Sequence, residues 1–227
     1  MFKTTLSVIA FSALMLGSAQ ALTIDTFNTN QSVVDGLGGG ATSSLVSDAT
    51  NILGTDRTVS IEQLGPGGTP SELNINTGTP GILTLGNTDA FSVSNITYNG
   101  IAGGGLGGVD VTEGGNDDRF TLFVVFGDFP TGVELTVSDG ANTASLQVST
   151  PAFAVGTPLF FEYASFIGGP VDFTMIDMIN IQLTTTTPVS DLQLDFFGTT
   201  SEIPEPAVLA ILGLGLTGLG FARRLRR

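Results

Sequence analysis

Phe120-Thr121-Leu122-Phe123-Val124-Val125-Phe126, Gly127-Asp128, Val133-Glu134-Leu135-Thr136-Val137, Asp139-Gly140 and Leu146-Gln147-Val148 follow one another along the chain. The second and third apolar segments alternate with polar residues, which places one apolar set on one face of a strand. The first is apolar at every position except Thr121 and reads as a central strand covered on both faces. Gly127-Asp128 and Asp139-Gly140 carry turn chemistry. Working outward, the same alternation appears in Thr58-Val59-Ser60-Ile61-Glu62, Leu73-Asn74-Ile75, Phe91-Ser92-Val93, Ile179-Asn180-Ile181-Gln182-Leu183 and Leu192-Gln193-Leu194-Asp195-Phe196. Leu159 to Phe161 resembles the opening segment and reads as a second central strand, and Gly168-Gly169-Pro170 marks a further turn. No stretch of residues 22–202 holds a helical apolar stripe for three turns. Met175 to Met178 is the best candidate for a single helical turn, ahead of the strand at 179–183. About ten or eleven short strands without helices between them predict an all-β fold, an antiparallel two-sheet sandwich of jelly-roll type.

The two ends have a different character. Lys3, an apolar run from Leu6 to Leu16 and Ala19-Gln20-Ala21 before Leu22 form the three parts of a secretory signal peptide, with cleavage expected after Ala21. Residues 1–21 are therefore read as a leader and 22–202 as the ectodomain. At the other end, Pro204-Glu205-Pro206 precedes an apolar stretch over 207–222 and the basic end Arg223-Arg224-Leu225-Arg226-Arg227. As a helix that stretch spans roughly 24 Å, short of a hydrocarbon core of roughly 30 Å. It crosses as a single transmembrane helix only with local thinning or snorkelling arginines. Four of the seven basic residues sit in the last five positions, and the positive-inside bias keeps such a cluster cytoplasmic. Proline suits a helix entrance, and Glu205 there meets the positive end of the helix dipole.

Tripeptide, glycine-rich apolar helix with Gly213, Gly215, Gly218 and Gly220, and terminal arginines together resemble the PEP-CTERM sorting signal of exported bacterial proteins. The resemblance covers residues 203–227. It implies recognition by a membrane-embedded exosortase that cleaves near Pro204-Glu205-Pro206, so that the mature protein loses its anchor and reaches the cell surface or the medium. A lipid-anchor signal of the GPI kind ends apolar, unlike this tail. Separately, the strands at 179–183 and 191–195 look loosely like the paired closing strands of extracellular sandwich domains of the carbohydrate-binding kind.

Composition narrows the function. Residues 22–202 hold twenty of the twenty-one acids and only Arg57 and Arg119 as bases, a formal charge of −18. Nucleic acid and anionic lipid surfaces are thereby poor partners, because phosphate binding needs a cationic surface. Such charge keeps an extracellular domain soluble and free of self-association. With no cysteine, the domain must be held by core burial and not disulfides. With no histidine either, neither a Ser-His-Asp triad nor an ordinary imidazole- or thiolate-ligated metal site can be built. Carboxylate chemistry and oxygen-ligated cations remain.

Two loops invite closer reading. Gly103-Gly104-Gly105-Leu106-Gly107-Gly108 contains a G-x-G-x-x-G spacing, but Val109-Asp110-Val111-Thr112 continues as a strand pattern, with no helix N-terminus for a pyrophosphate. It reads as a flexible loop. Asn116, Asp117 and Asp118, after Glu113, are the calcium candidates, since calcium gathers six to eight oxygens from such loops. The competing reading is an Asx-rich hairpin turn whose side chains bond their own backbone. The leading functional expectation is an exported, non-catalytic surface or extracellular-matrix protein, served by the secretion machinery and an exosortase, and membrane-anchored before processing. It requires no cofactor. The alternatives are a calcium-assisted glycan-binding module for extracellular polysaccharide and a carboxylate-based glycosidase drawing on Glu62, Glu113, Glu134 or Glu162. Sugar recognition favours exposed aromatics. The chain has no tryptophan and two tyrosines, Tyr98 and Tyr163, and its sixteen phenylalanines suit the core or the leader.

Overall fold

In the computed structural model, which describes residues 21–36, 38–65 and 67–201, the alternating segments pair into two antiparallel sheets of seven strands each. The first runs in the order β11 (Ala154–Glu162), β8 (Arg119–Gly127), β14 (Asp191–Thr200), β6 (Leu83–Gly86), β5 (Ser71–Ile75) and β2 (Gln31–Asp35), with β1 (Thr23–Asp25) also on β14. The second runs β12 (Ile167–Gly168), β10 (Thr143–Ser149), β9 (Thr131–Ser138), β13 (Met178–Thr185), β7 (Ser92–Tyr98), β4 (Asp56–Gln63) and β3 (Thr42–Ser47). Alternation decides which side chains meet. Phe120, Leu122 and Val124 of β8 and Leu192, Leu194 and Phe197 of β14 turn inward, as do Val133, Leu135 and Val137 of β9 and Ile179, Ile181 and Leu183 of β13. All belong to one buried cluster between the sheets. Each such side chain contributes about 1.5–3 kcal/mol by leaving water. The fold is all-β, and its helical content among the described residues is two short 3-10 turns.

Several sequence expectations need correction. Fourteen strands form among the described residues, more than expected. The additional ones are very short or, like the serine-rich β3, lack a clear apolar face. β8 is central, but only one of its faces is sealed: Phe123 and Val125 are half-buried on the outer side. β11 is an edge strand, with Phe160 45% exposed. Met175–Met178 is not a helical turn: the Met175 N–H bonds Asp172, and Ile176 bridges Val109. Val109–Thr112 makes that single bridge and no strand. β13 and β14 lie in opposite sheets, so the late strands do not pair with each other. Gly168 belongs to the edge strand β12, where a Cβ would come within 2.5 Å of the Thr143 carbonyl oxygen. The glycine-rich loop is laced down by hydrogen bonds from Gly105 to Asn99 and from Leu106 to Asp177.

A polar knot ties the two sheets through the core. Arg57 of β4, fully buried, pairs with Asp25 of β1 at 2.7 Å and donates to Gln31 Oε1 at 2.8 Å and the Thr29 carbonyl at 2.8 Å. Tyr98 of β7 and the Phe27 N–H also donate to Asp25. Burial pushes the Asp25 carboxyl up, while the Arg57 charge beside it pulls down.

Among the described residues no helix is long and apolar enough to cross a membrane. Of the leader only Ala21 is described. Ala19 of the cleavage signal, the Pro204-Glu205-Pro206 tripeptide, the 207–222 stretch and Arg223, Arg224, Arg226 and Arg227 lie outside the described residues.

Candidate functional site

The first sheet carries a groove of about 240 Å³ on its outer face, lined by residues of β5, β6, β14 and the loops beside them. Strand register builds it. Glu72 of β5 stands opposite Gly86 of β6, which in turn stands opposite Asp191 of β14. Because Gly86 has no side chain, a gap opens between the two carboxylate-bearing strands. In the neighbouring row Asn74 stands opposite Thr84 and Thr84 opposite Gln193. Asn87, Thr88, Thr69 and Pro70 complete the lining. Asp89 fixes that rim, accepting the Gly68 N–H at 2.8 Å and the Thr69 N–H at 3.1 Å.

Two residues of this lining depart from the ordinary. Desolvation, with the Asp128 charge adding to it, raises the Asp191 carboxyl above the usual range, against a hydrogen bond from the Asn87 backbone. Asn87 is 3% exposed, and its Nδ2 and Oδ1 are both buried without a hydrogen-bond partner. A buried polar group left without a partner costs about 1–3 kcal/mol.

The calcium candidates are directed apart. Asp117 is buried and accepts the Thr199 hydroxyl, Asp118 accepts Arg119 Nε at 2.9 Å, and Asn116 Nδ2 donates to the Glu113 carbonyl at 2.6 Å. Asp110 accepts from the Thr112 hydroxyl, the Thr112 N–H and the Gly114 N–H, and the first of these leads in lowering its pKa. The segment crosses from β7 in one sheet to β8 in the other, so it is not a hairpin. Burial, reinforced by the charges of Asp117, Asp118, Asp110 and Glu113, pushes the Tyr163 phenol up. Among the described residues no three His, Cys, Asp or Glu side chains stand together as a metal site.

The four glutamates stand on different elements. Glu62 on β4 and Glu134 on β9 share the outer face of the second sheet but are three interstrand steps apart, at least about 14 Å. Glu162 ends β11 in the other sheet, and Glu113 lies in the acidic crossover. A glycosidase pair needs about 5–10 Å. Tyr98 is fully buried, and Tyr163 stacks on Phe173 at 4.4 Å while donating to the Val111 carbonyl. Phe160 lies under the Arg119 guanidinium at 5.0 Å, and Phe153 is 76% exposed. The described phenylalanines are thus divided between core and surface.

Sequence reading missed the groove. Glu72, Asn74 and Asp191 are visible as outward residues of alternating strands, but nothing local to them says that β5, β6 and β14 are neighbours.

Residues 202–227 match the PEP-CTERM protein-sorting motif, so the chain carries a sorting signal behind a two-sheet β domain. No curated protein matches the chain in sequence. Among solved structures, it is similar to a family 11 carbohydrate-binding module from Clostridium thermocellum in complex with a β-1,3-1,4-mixed-linked tetrasaccharide. The identity is 10%, with 80% of this chain and 95% of that one covered and a TM-score of 0.40. A family 30 carbohydrate-binding module of a cellulosomal cellulase of the same organism is 11% identical, covering 81% of this chain and 98% of that one, with a TM-score of 0.36. An exo-β-agarase is 12% identical over 81% of this chain and 25% of its own length, with a TM-score of 0.42. The chain's own strand pairing defines its fold.

Proposed function

We propose that this is an exported, non-catalytic surface or extracellular-matrix protein, processed through its C-terminal signal by an exosortase-type enzyme. The observation that carries the reading is the sorting motif at residues 202–227. In it, the secretion machinery removes residues 1–21, and the 207–222 helix holds the ectodomain on the outer side while Arg223, Arg224, Arg226 and Arg227 stay inside. Pro204-Glu205-Pro206 is the recognition element, and the membrane is a temporary partner. The domain at 22–202, a sandwich of jelly-roll type, then enters the surface layer or matrix. Its charge of −18 suits that setting by keeping the molecules apart. Calcium at Asn116, Asp117 and Asp118 stays a secondary element, with those side chains turned to separate partners.

The test is replacement of Pro204, Glu205 and Pro206 by alanine in the producing bacterium. The expected outcome is a full-length form accumulating in the membrane fraction and less protein at the surface. Unchanged surface display of the triple variant contradicts the role of the tripeptide.

A further inference from the structure

We infer that leader removal completes the fold: the new α-ammonium of Leu22 docks on the Thr199 hydroxyl and the Asp117 carboxylate at the end of β14. The inference rests on the reading that the secretion machinery cuts after Ala21. Its starting point is how the structure holds Leu22. The Leu22 nitrogen donates to Thr199 Oγ1 at 2.9 Å, and the Leu22 carbonyl accepts the Thr199 N–H at 2.9 Å. The Leu22 side chain packs against the buried core, while Ala21 is exposed. Gly198 leaves room for this docking, since a Cβ there would come within 2.6 Å of the Leu22 carbonyl oxygen. Among the described residues anchoring therefore begins at Leu22, on the far side of the expected cut.

What the nitrogen meets is the second observation. Thr199 is fully buried, and its hydroxyl, which accepts from Leu22, donates in turn to Asp117 Oδ2. Nitrogen and carboxylate are therefore no more than about 6 Å apart, the length of two hydrogen bonds in series. Asp117 is itself buried, and its N–H, bonded to the Thr112 carbonyl at 2.8 Å, fixes its place. In the leader-bearing chain the Leu22 nitrogen is a neutral amide with a single hydrogen. Hydrolysis of the Ala21–Leu22 bond leaves a carboxylate on Ala21 and passes the carboxyl proton to the new amine, which at neutral pH is an ammonium with three hydrogens. One keeps the Thr199 bond, and the others are free for the Asp117 carboxylate and water. Such charge-assisted bonds are stronger than the neutral one they replace. The field there is already negative, since Asp117, Asp118, Asp110 and Glu113 together raise the neighbouring Tyr163 phenol. Stability is thereby linked to export: the precursor lacks the cation and the mature chain gains it.

The sequence makes a selective test possible, because Lys3 is the only lysine. It leaves with the leader, so the α-amine of Leu22 is the one amine left to acylate. Protein recovered from the surface of the producing bacterium is checked by mass for its first residue, acetylated at the α-amine in denaturant, refolded, and unfolded in urea beside a mock-treated sample. Acetylation is expected to raise the unfolding equilibrium constant about tenfold, the value of a hydrogen bond to a charged group. In Asp117→Asn, or in Thr199→Val where that variant does not fold, acetylation changes it less than about twofold, because the cycle has already lost the interaction. Thr199→Ser, which keeps the hydroxyl, retains the full penalty. The folded wild-type protein, with no refolding step, is acetylated several-fold more slowly than folded Asp117→Asn. A product that starts at Leu22 and is indifferent to acetylation overturns the docking alone, as does a penalty of undiminished size in Asp117→Asn or Thr199→Val. A product that starts at another residue overturns both the leader reading and the docking.

Discussion

Arg57 shows how much one residue can hold in a domain without disulfides. Its guanidinium is fully buried and joins β4 of one sheet to Asp25 and Gln31 of the other, while Tyr98 closes on the same carboxylate. Removing one partner of a buried pair strands the other's charge, which costs about 3–5 kcal/mol. Arg57→Ala is therefore expected to lower the unfolding free energy by that amount in urea titrations. Replacing the pair together, Asp25→Leu with Arg57→Met, costs less than the single change. A loss under about 1 kcal/mol for Arg57→Ala contradicts the account, since that is the value of an exposed pair. In the sequence Arg57 is only one of two bases of the ectodomain. Its inward position is legible from the alternation with Val59 and Ile61, but its partner lies thirty-two residues away, and no local pattern joins them.

At the scale of elements, turns tie the strands by carboxylates held in their ionised form. In the β9–β10 hairpin Asp139 accepts the N–H groups of Asp172, Asn142 and Ala141, and these bonds hold its carboxyl well below the usual range. Asp48, between β3 and β4, is lowered likewise by the Thr29 hydroxyl, the Asn51 amide and the Thr50 N–H. A carboxyl whose folded pKa is depressed contributes stability that is whole above its unfolded value, about 3.9, and is lost as pH falls through the folded one. Asp191, raised, works in the opposite sense, losing its contribution as pH rises. The urea midpoint is expected to fall as pH drops below about 4, and Asp139→Asn to lower it at neutral pH and flatten that acid limb. An acid limb of unchanged slope in the variant contradicts the assignment.

Elements also differ in how far they can be read. The alternating strands β4, β9, β13 and β14 are visible in single segments because period-two burial acts residue by residue. β11 reads as central and is an edge, since Phe160 owes its place partly to Arg119 on the neighbouring strand. β1, β3, β6 and β12 are set by their neighbours more than by their own residues. The groove is harder still: Glu72, Gly86 and Asp191 come together only through the order β5, β6, β14.

Over the whole molecule the parts divide by task. Two sheets enclose an apolar core, residues 22–202 hold twenty of the twenty-one acids of the chain, and the sorting motif occupies residues 202–227. Fold class and sorting signal are both legible in sequence for a common reason: each depends on short-range order of residue types, alternation in one and a fixed succession of parts in the other. The central claim, that the tail is an address removed on delivery, is tested most directly by the intact mass of the protein recovered from the surface of the producing cell. The account predicts a chain that begins at Leu22 and ends near Pro204-Glu205-Pro206, without the arginine cluster. A surface product that still ends at Arg227 contradicts it.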